Sequence, residues 1–282
     1  MVAIVTVIVI AATWLSIGGP DRIRSRLASL QTIVIGGVIF PAVVLTGLLI
    51  YGLWLMRVHA AVPSQVPVTI EVIGAQWWWR VRYTSADGQI FESANEIRLP
   101  VGRDVSLTMK SADVIHSIWI PSLAGKMDLI PGRITTLRLM AERPGIYRGA
   151  CAEYCGGPHA LMALHAVAMP PQEFERWLNE RQIPARTLDD GQRRGKSLFE
   201  AAGCGGCHAI DGTNARGTIG PNLSDLGSRQ SIGAGLLPMS HDNLASFVAH
   251  AQWLKPGNKM PPFSIFSETQ LTDLAAYLAA LK

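Results

Sequence analysis

GACAEYCGGPHALMALH, residues 149–165, is the stretch on which the reading of this chain turns. It sets Cys151, Cys155, His159 and Met162 in the spacing Cys-x-x-x-Cys-x-x-x-His-x-x-Met. Thiolate, imidazole and thioether are soft ligands that favour copper over harder ions. A mononuclear blue-copper site takes one thiolate, so two cysteines on one loop suit two coppers bridged by both sulfurs. Sharing an electron across such a pair spreads the charge change and keeps reorganisation small. A second imidazole must come from elsewhere. His116, in Asp113-Val-Ile-His-Ser117, follows a predicted strand and is the best candidate. His165 competes, but on a strand leaving the loop it is more often a packed residue. A disulfide or a zinc site is the other reading of Cys151 and Cys155, and the His and Met spacing favours copper.

Working outward, the flanks of this loop read as β-structure. Val68, Ile70 and Val72 lie in a β-rich run of period two, and Val105, Leu107 and Met109 alternate again, as do Leu137 and Leu139. Residues 80–83 and 89–91 flank an Asp87-Gly88 turn and predict a hairpin. Turn signals recur at Pro100-Val-Gly102, Pro131-Gly132 and Pro144-Gly145, the pattern of an all-β sandwich or barrel. A helix carrying Phe174, Trp177 and Leu178 on one face closes the region, which spans 61–182 and begins with a short linker at 61–66.

Upstream, the chain is apolar. Of its 282 residues 49% are hydrophobic, and the mean hydropathy is +0.23. The net charge of +4 is too small to argue for nucleic acid, and no basic run with interleaved aromatics appears. No residue from Leu27 to Met56 is charged, and residues 32–56 alone make 25. Roughly 20 residues cross a hydrocarbon core of ~30 Å. Pro41 is expected to kink this helix. Met1 to Ile17 is a shorter apolar run, read as a second transmembrane helix because no basic residue precedes it as in a signal peptide. Arg22, Arg24 and Arg26 lie between the two, against Arg57 beyond the second. The positive-inside rule puts that loop of the 1–60 segment in the cytoplasm and everything after residue 60 outside it.

Downstream, residues 181–192 read as a polar linker, and 190–282 as a further domain. Cys204-Gly-Gly-Cys-His208 is the c-type haem attachment string: each thiol can add to a porphyrin vinyl group, and the histidine then lies under the iron. Gly195, Leu198 and Phe199 suggest a helix leading into it. Ser267-Glu-Thr-Gln270 is a capping box ahead of a Leu271, Leu274, Leu278, Leu281 stripe. With Cys151, Cys155, Cys204 and Cys207 assigned, no disulfide is expected among the four cysteines.

Four strings carry a family resemblance: Gln76-Trp77-Trp78-Trp79, Asp113 to Ser117, Lys126-Met-Asp-Leu-Ile-Pro-Gly-Arg133, and Cys151 through Met162. Residues 67–180 resemble the Cu-A domain of cytochrome c oxidase subunit 2, and the resemblance covers the two preceding helices. It implies a cupredoxin fold and a dinuclear copper centre. One copper would take His116 and Met162, the other His159 and the carbonyl of Glu153, with both cysteines bridging. Trp77 occupies the position at which the family receives electrons from cytochrome c. The Glu153 side chain matches a magnesium ligand shared with subunit 1. Many relatives carry a carboxylate near the start of the second helix; here Gln31 sits near that place, so a proton-uptake role does not transfer.

The C-terminal stretch resembles a small class I cytochrome c, which implies an all-α domain. Gly220-Pro-Asn-Leu223 matches the loop beside the proximal histidine. Met260, in a loop stiffened by Pro256, Pro261 and Pro262, is expected as sixth ligand over Met239. Such ligation raises the haem potential and leaves no open site.

The resulting expectation is a bacterial inner-membrane, multi-pass oxidase subunit with copper and haem domains on the periplasmic side. It passes electrons from haem through copper to subunit 1, which reduces oxygen to water. Other oxidase subunits and membrane lipid are the expected partners, with a soluble cytochrome c or quinol–cytochrome c reductase as donor. If electrons enter at the haem and not at Trp77, Trp77→Ala is expected to slow oxidation of an added soluble cytochrome c and spare turnover through the fused haem; equal losses on both routes would make Trp77 structural or shared. The rival readings are the electron-accepting subunit of a nitric oxide reductase and a membrane-tethered electron shuttle. A nitrous oxide reductase would need a propeller domain that this length cannot hold.

Overall fold

The computed structural model describes residues 2–59, 68–85, 88–179 and 187–282. The linker read at 61–66, Asp87 of the Asp87-Gly88 turn and residues 181–186 of the second linker lie outside the described residues.

The N-terminal unit is helical: α1 (Val2–Gly18), α2 (Asp21–Leu27), α3 (Leu30–Val34), a π-helical turn (Ile35–Ile39) and α4 (Phe40–His59). The stretch Leu30–Arg57, with mean hydropathy 2.6, is long and apolar enough to cross a membrane. α1 has 17 residues and, at 1.5 Å per residue, reaches about 25 Å, short of the ~30 Å core. The π-turn ends two residues before Pro41. Proline lacks an N–H and its ring crowds the carbonyl four residues back, which is Gly37 here. A widened turn at Gly36-Gly37 absorbs that misfit within a continuous helix.

The second unit contains both the β-sandwich and the C-terminal helical region. Its strands are β1 (Val68–Ala75), β2 (Trp78–Thr84), β3 (Ile90–Ala94), β4 (Glu96–Pro100), β5 (Val105–Ser111), β6 (His116–Trp119), β7 (Met127–Leu129), β8 (Thr135–Leu139), β9 (Gly145–Cys151) and β10 (Ala163–Met169). They form two five-stranded sheets, ordered β3-β2-β1-β5-β8 and β4-β10-β9-β6-β7. The period-two pattern works as read. Ile70, Val72, Val105, Leu107 and Met109 point inward with no exposed surface, as do Ile97, Leu99 and Ile118 of the facing sheet. Burial of each such side chain contributes about 1.5–3 kcal/mol. The hairpin β2–β3 forms, joined through residues 85–89, with Gly88 at φ +80°. α5 (Pro171–Asn179) buries Phe174 and sets Trp177 edge-on against Tyr83 at 5.0 Å.

The C-terminal region has α6 (Asp190–Ala201), α7 (His241–Leu254) and α8 (Glu268–Ala279). Asp189 with Gln192, and Ser267 with Gln270, form complete capping boxes, and Ser240 caps α7. α6 and α8 cross so closely that a Cβ on Gly195 would fall 2.0 Å from the Asp273 carbonyl oxygen. The region is not purely helical as expected: β11 (Ser231–Ile232) and β12 (Leu237–Pro238) form a small hairpin. Its tip holds Gly233, Ala234 and Gly235 at positive φ. The Ala234 carbonyl accepts a bond from the Ala163 N–H of the sandwich at 2.9 Å, which gives these few residues a strand-like partner outside their own region.

Candidate metal and haem centres

Strand register assembles the first centre. On β6 and β9, Ile118 pairs with Cys151, which brings the end of β9 beside His116 at the start of β6. The loop after Cys151 returns as β10 and is closed by the Cys151 N–H bonding the Met162 carbonyl at 2.9 Å. Cys151 Sγ lies 3.8 Å from Cys155 Sγ and 3.9 Å from His116 Nδ1. Cys155 Sγ lies 3.5 Å from His159 Nδ1 and 3.8 Å from Met162 Sδ. The Glu153 carbonyl is 3.2 Å from Cys151 Sγ. A disulfide requires sulfurs ~2.05 Å apart. Sulfur and nitrogen ligands on a shared tetrahedral metal stand roughly 3.5–3.8 Å apart, given bonds of ~2.3 and ~2.0 Å. The spacing therefore fits metal sharing, and the donor set fits copper. His116, Cys151 and Cys155 are all buried.

The supporting atoms are specific. Asp113 accepts from Gln76 N–H at 2.7 Å and Val114 N–H at 2.8 Å, and its Oδ1 pairs with His116 Nε2 at 2.8 Å. That fixes the tautomer and leaves Nδ1 facing the sulfur. A Cβ on Gly74 would stand 2.8 Å from the His116 ring, so glycine makes room for the imidazole. Burial opposes ionisation of Cys151, yet bonds from His116 and from the Ser117 and Glu153 backbone bring the thiol down to about 7. Burial and the neighbouring Cys151 push Cys155 up to about 12. His165 stands apart from this cluster: its Nδ1 is 3.2 Å from Ser231 Oγ, and burial lowers its pKa against the pull of Glu96. The Glu153 side chain is exposed.

The second centre is a cavity of about 460 Å³ lined by Cys204, Cys207, His208 and Met260. His208 Nδ1 bonds the Pro221 carbonyl at 2.7 Å, which leaves Nε2 free. Burial, with the Arg229 charge, lowers the His208 pKa despite the bond to Pro221, which favours the neutral ring that a metal ligand needs. Gly220 packs on it so tightly that a Cβ would sit 2.6 Å from Cε1. The Met260 N–H donates to Asn258 Oδ1 at 2.7 Å, and its carbonyl accepts from Gln252 at 2.7 Å. Met239 packs on the helical core and does not line the cavity. Two thiols, a neutral imidazole and a thioether around an apolar cavity fit a covalently attached haem.

The two centres meet. Gln76, Trp77 and Trp78 form part of the haem cavity wall. Gln76 Nε2 and Trp77 Nε1 both donate to the Cys155 carbonyl, at 2.8 and 2.9 Å. The structure sets Trp77 between that cavity and the copper loop. Further bonds close the junction: Ser93 to Asp225 at 2.6 Å, Gln230 N–H to Glu96 at 2.8 Å, and Arg98 to the Ser228 carbonyl at 2.8 Å. The structure brings the sequence-predicted ligand candidates together, and it adds Asp113, Gln76 and Lys255, to which the sequence reading gave no role. Lys255 is buried, and burial lowers it to about 7, with the Cys155 sulfur acting in the opposite direction.

A soft-ligand loop at the end of a β-sandwich, packed on a domain with a haem attachment string, defines a class of copper-and-haem electron-transfer proteins. The comparisons specify the family. The model of the cytochrome C oxidase subunit II periplasmic domain matches residues 85–169, and that of cytochrome c matches 192–282. Cytochrome c oxidase subunit 2 of Alkalihalophilus pseudofirmus is 37% identical over 219 residues, covering 76% of this chain and 61% of that protein. The Oenothera berteroana protein of the same name is 30% identical over 200 residues, covering 63% of this chain and 78% of that one. The crystal structure of the periplasmic domain of subunit II from Bradyrhizobium japonicum cytochrome oxidase aligns at 30% identity and TM-score 0.39, covering 43% of this chain and 96% of that one. This chain belongs to the cytochrome c oxidase subunit 2 family. It spans 61–62% of the length of the bacterial relatives from Alkalihalophilus and Bacillus. The family implies copper, the cytochrome c match implies haem, and the apolar helix ahead of a periplasmic-type domain makes the chain membrane-anchored.

Proposed function

We propose that this chain is the electron-accepting subunit of a proton-translocating haem–copper oxidase, in which subunit 1 reduces oxygen to water. The segment 1–60 crosses the bacterial inner membrane twice, with the Arg22, Arg24, Arg26 loop in the cytoplasm. The copper domain (61–182) and the cytochrome c domain (190–282) face the periplasm. Cys204 and Cys207 would attach the haem, and His208 and Met260 would hold its iron. Cys151 and Cys155 would hold two coppers together with His116 and Met162 for one and His159 and the Glu153 carbonyl for the other, and the pair would supply a one-electron couple. The Glu153 side chain, exposed in this chain, is free to join a magnesium site against subunit 1. Membrane lipid and the other oxidase subunits complete the assembly, and a soluble cytochrome c or a quinol–cytochrome c reductase supplies electrons.

The single observation that carries this reading is the Cys155 carbonyl accepting from both Gln76 and Trp77 on the wall of the haem cavity. When bound, haem and the copper pair each supply a one-electron couple. The chain's residues do the rest. Trp77 and Gln76 bridge the cavity wall to a copper ligand. Asp113 orients His116. Buried strands exclude water from both thiols and so keep reorganisation small. Fusing the haem domain to its acceptor sets an effective concentration on the order of mM, which removes a diffusional encounter. The test is metal analysis followed by flash reduction of the assembled oxidase. Two coppers and one haem that stays attached after denaturation are expected, with haem reduced first and copper next. One copper per chain, or copper reduced ahead of haem, contradicts the reading.

A further inference from the structure

Lys255 is a buried titratable group with no part in either ligand set, and it lies where α7 ends. Its Nζ donates to three carbonyls, each at 2.8 Å: Trp77, Leu161 and Gly233. They belong to the tryptophan loop, the copper loop one residue before Met162, and the β11–β12 hairpin. Among the described residues no carboxylate pairs with it. An ammonium buried without a counter-charge is costly unless its protons are satisfied. Three carbonyls take all three protons of an ammonium, whereas a neutral amine would leave one without a donor. The bonding continues toward the haem ligand. The Lys255 carbonyl accepts from Asn258 N–H at 3.1 Å and Asn258 Nδ2 at 2.8 Å, and Asn258 Oδ1 accepts from Met260 N–H at 2.7 Å.

We propose that Lys255 is a positioning residue, which locks the Met260 loop of the haem domain onto the tryptophan and copper loops and fixes the separation of the two centres. This rests on the electron-transfer reading above. When bound, haem and the copper pair would each supply a one-electron couple, and Lys255 would take part only by holding the loops between them. With the haem domain held there, Trp77 faces the fused haem, and a soluble donor must deliver to the haem instead of reaching Trp77.

The test uses Lys255→Gln in the assembled oxidase. Dipolar spectroscopy between ferric haem and the mixed-valence copper pair should give one narrow distance in the parent and a broadened distribution in the variant. Haem-to-copper transfer should slow by about tenfold or more, since small misplacements of reacting groups carry penalties of this order. The donor KM and the absorption of both centres should be unchanged. A narrow distance with an unchanged rate overturns the proposal, even if the haem domain melts earlier. If the variant fails to take up haem or copper, amine-reactive labelling of the parent decides. Exposed Lys259 and Lys282 should react quickly and Lys255 should be protected; equal labelling overturns the proposal. Absence of haem-to-copper transfer in the parent would remove the functional reading itself, whereas parental transfer insensitive to Lys255→Gln removes only the role of Lys255.

Discussion

At the copper loop, neighbouring ligand atoms already stand 3.5–3.9 Å apart, held by strand register and by Asp113. At the haem cavity the future ligands line the walls of a space of about 460 Å³. The first centre is a small gap in a finished sandwich; the second is a large part of the core of a small domain. Metal loss and haem loss should therefore have different consequences, and the comparison can be broken or sharpened in a series of experiments.

The largest effect is expected from removing haem attachment. Without haem the apolar walls of that cavity face water instead of a packed ring, so the C-terminal region loses a large share of the burial that holds it together. Cys204→Ala with Cys207→Ala should cost the C-terminal region its cooperative melting transition, while copper extraction leaves the sandwich melting cooperatively. Equal sensitivity to both losses would abolish the distinction. Next, Cys155→Ser should eliminate the mixed-valence copper signal, because one remaining sulfur cannot bridge symmetrically. His165→Ala should keep it, since that ring faces Ser231. Loss on His165→Ala with retention on His159→Ala would reverse the ligand assignment. On the haem side, Met260→Leu should remove the thioether–iron band and lower the potential, and Met239→Leu should leave both in place.

A smaller effect separates the two thiols by pH. Hydrogen bonds bring the Cys151 thiol down to about 7 while burial and Cys151 push Cys155 up to about 12, and both must be deprotonated to hold copper. Above pH 7 loading must release at least the proton of Cys155, so apparent copper affinity falls about tenfold or more for each unit that pH drops. As pH falls through 7 Cys151 also takes up a proton, and His116, which burial pulls down but its bonds to Cys151 and Asp113 raise overall, must be neutral to ligate, so the slope should steepen to about a hundredfold per unit or more. Competition titration of the copper-free protein measures this; a slope constant through pH 7 would show that Cys151 is not the more acidic thiol.

Legibility in the sequence followed the range of the contacts. Cys151, Cys155, His159 and Met162 lie within one loop, and Cys204 to His208 within another, so spacing alone exposes them. The inward alternation of β1 and β5 and the capping box at Ser267 are equally local and appear in the fold as read. Gln76 reaches Cys155 across 79 residues, and Lys255 reaches Trp77 across 178. No local pattern carries such a contact. The β11–β12 hairpin escaped because two-residue strands show no period. Its Ser231-to-Pro238 sequence makes sense only beside Ala163, to which it bonds. The placement of Trp77 on the haem cavity wall has the same origin, because it depends on where another domain docks.

The central claim is that the fused haem and the copper pair are joined across Trp77 and the Cys155 carbonyl. Flash reduction of the haem in the assembled oxidase, followed at the copper band in parent and Trp77→Ala, tests it most directly. The account predicts a copper rise matching haem oxidation in the parent, and a rise slowed by about tenfold or more in the variant with both centres spectrally intact, as expected for disturbed positioning at the junction. Identical kinetics in the two proteins would contradict it.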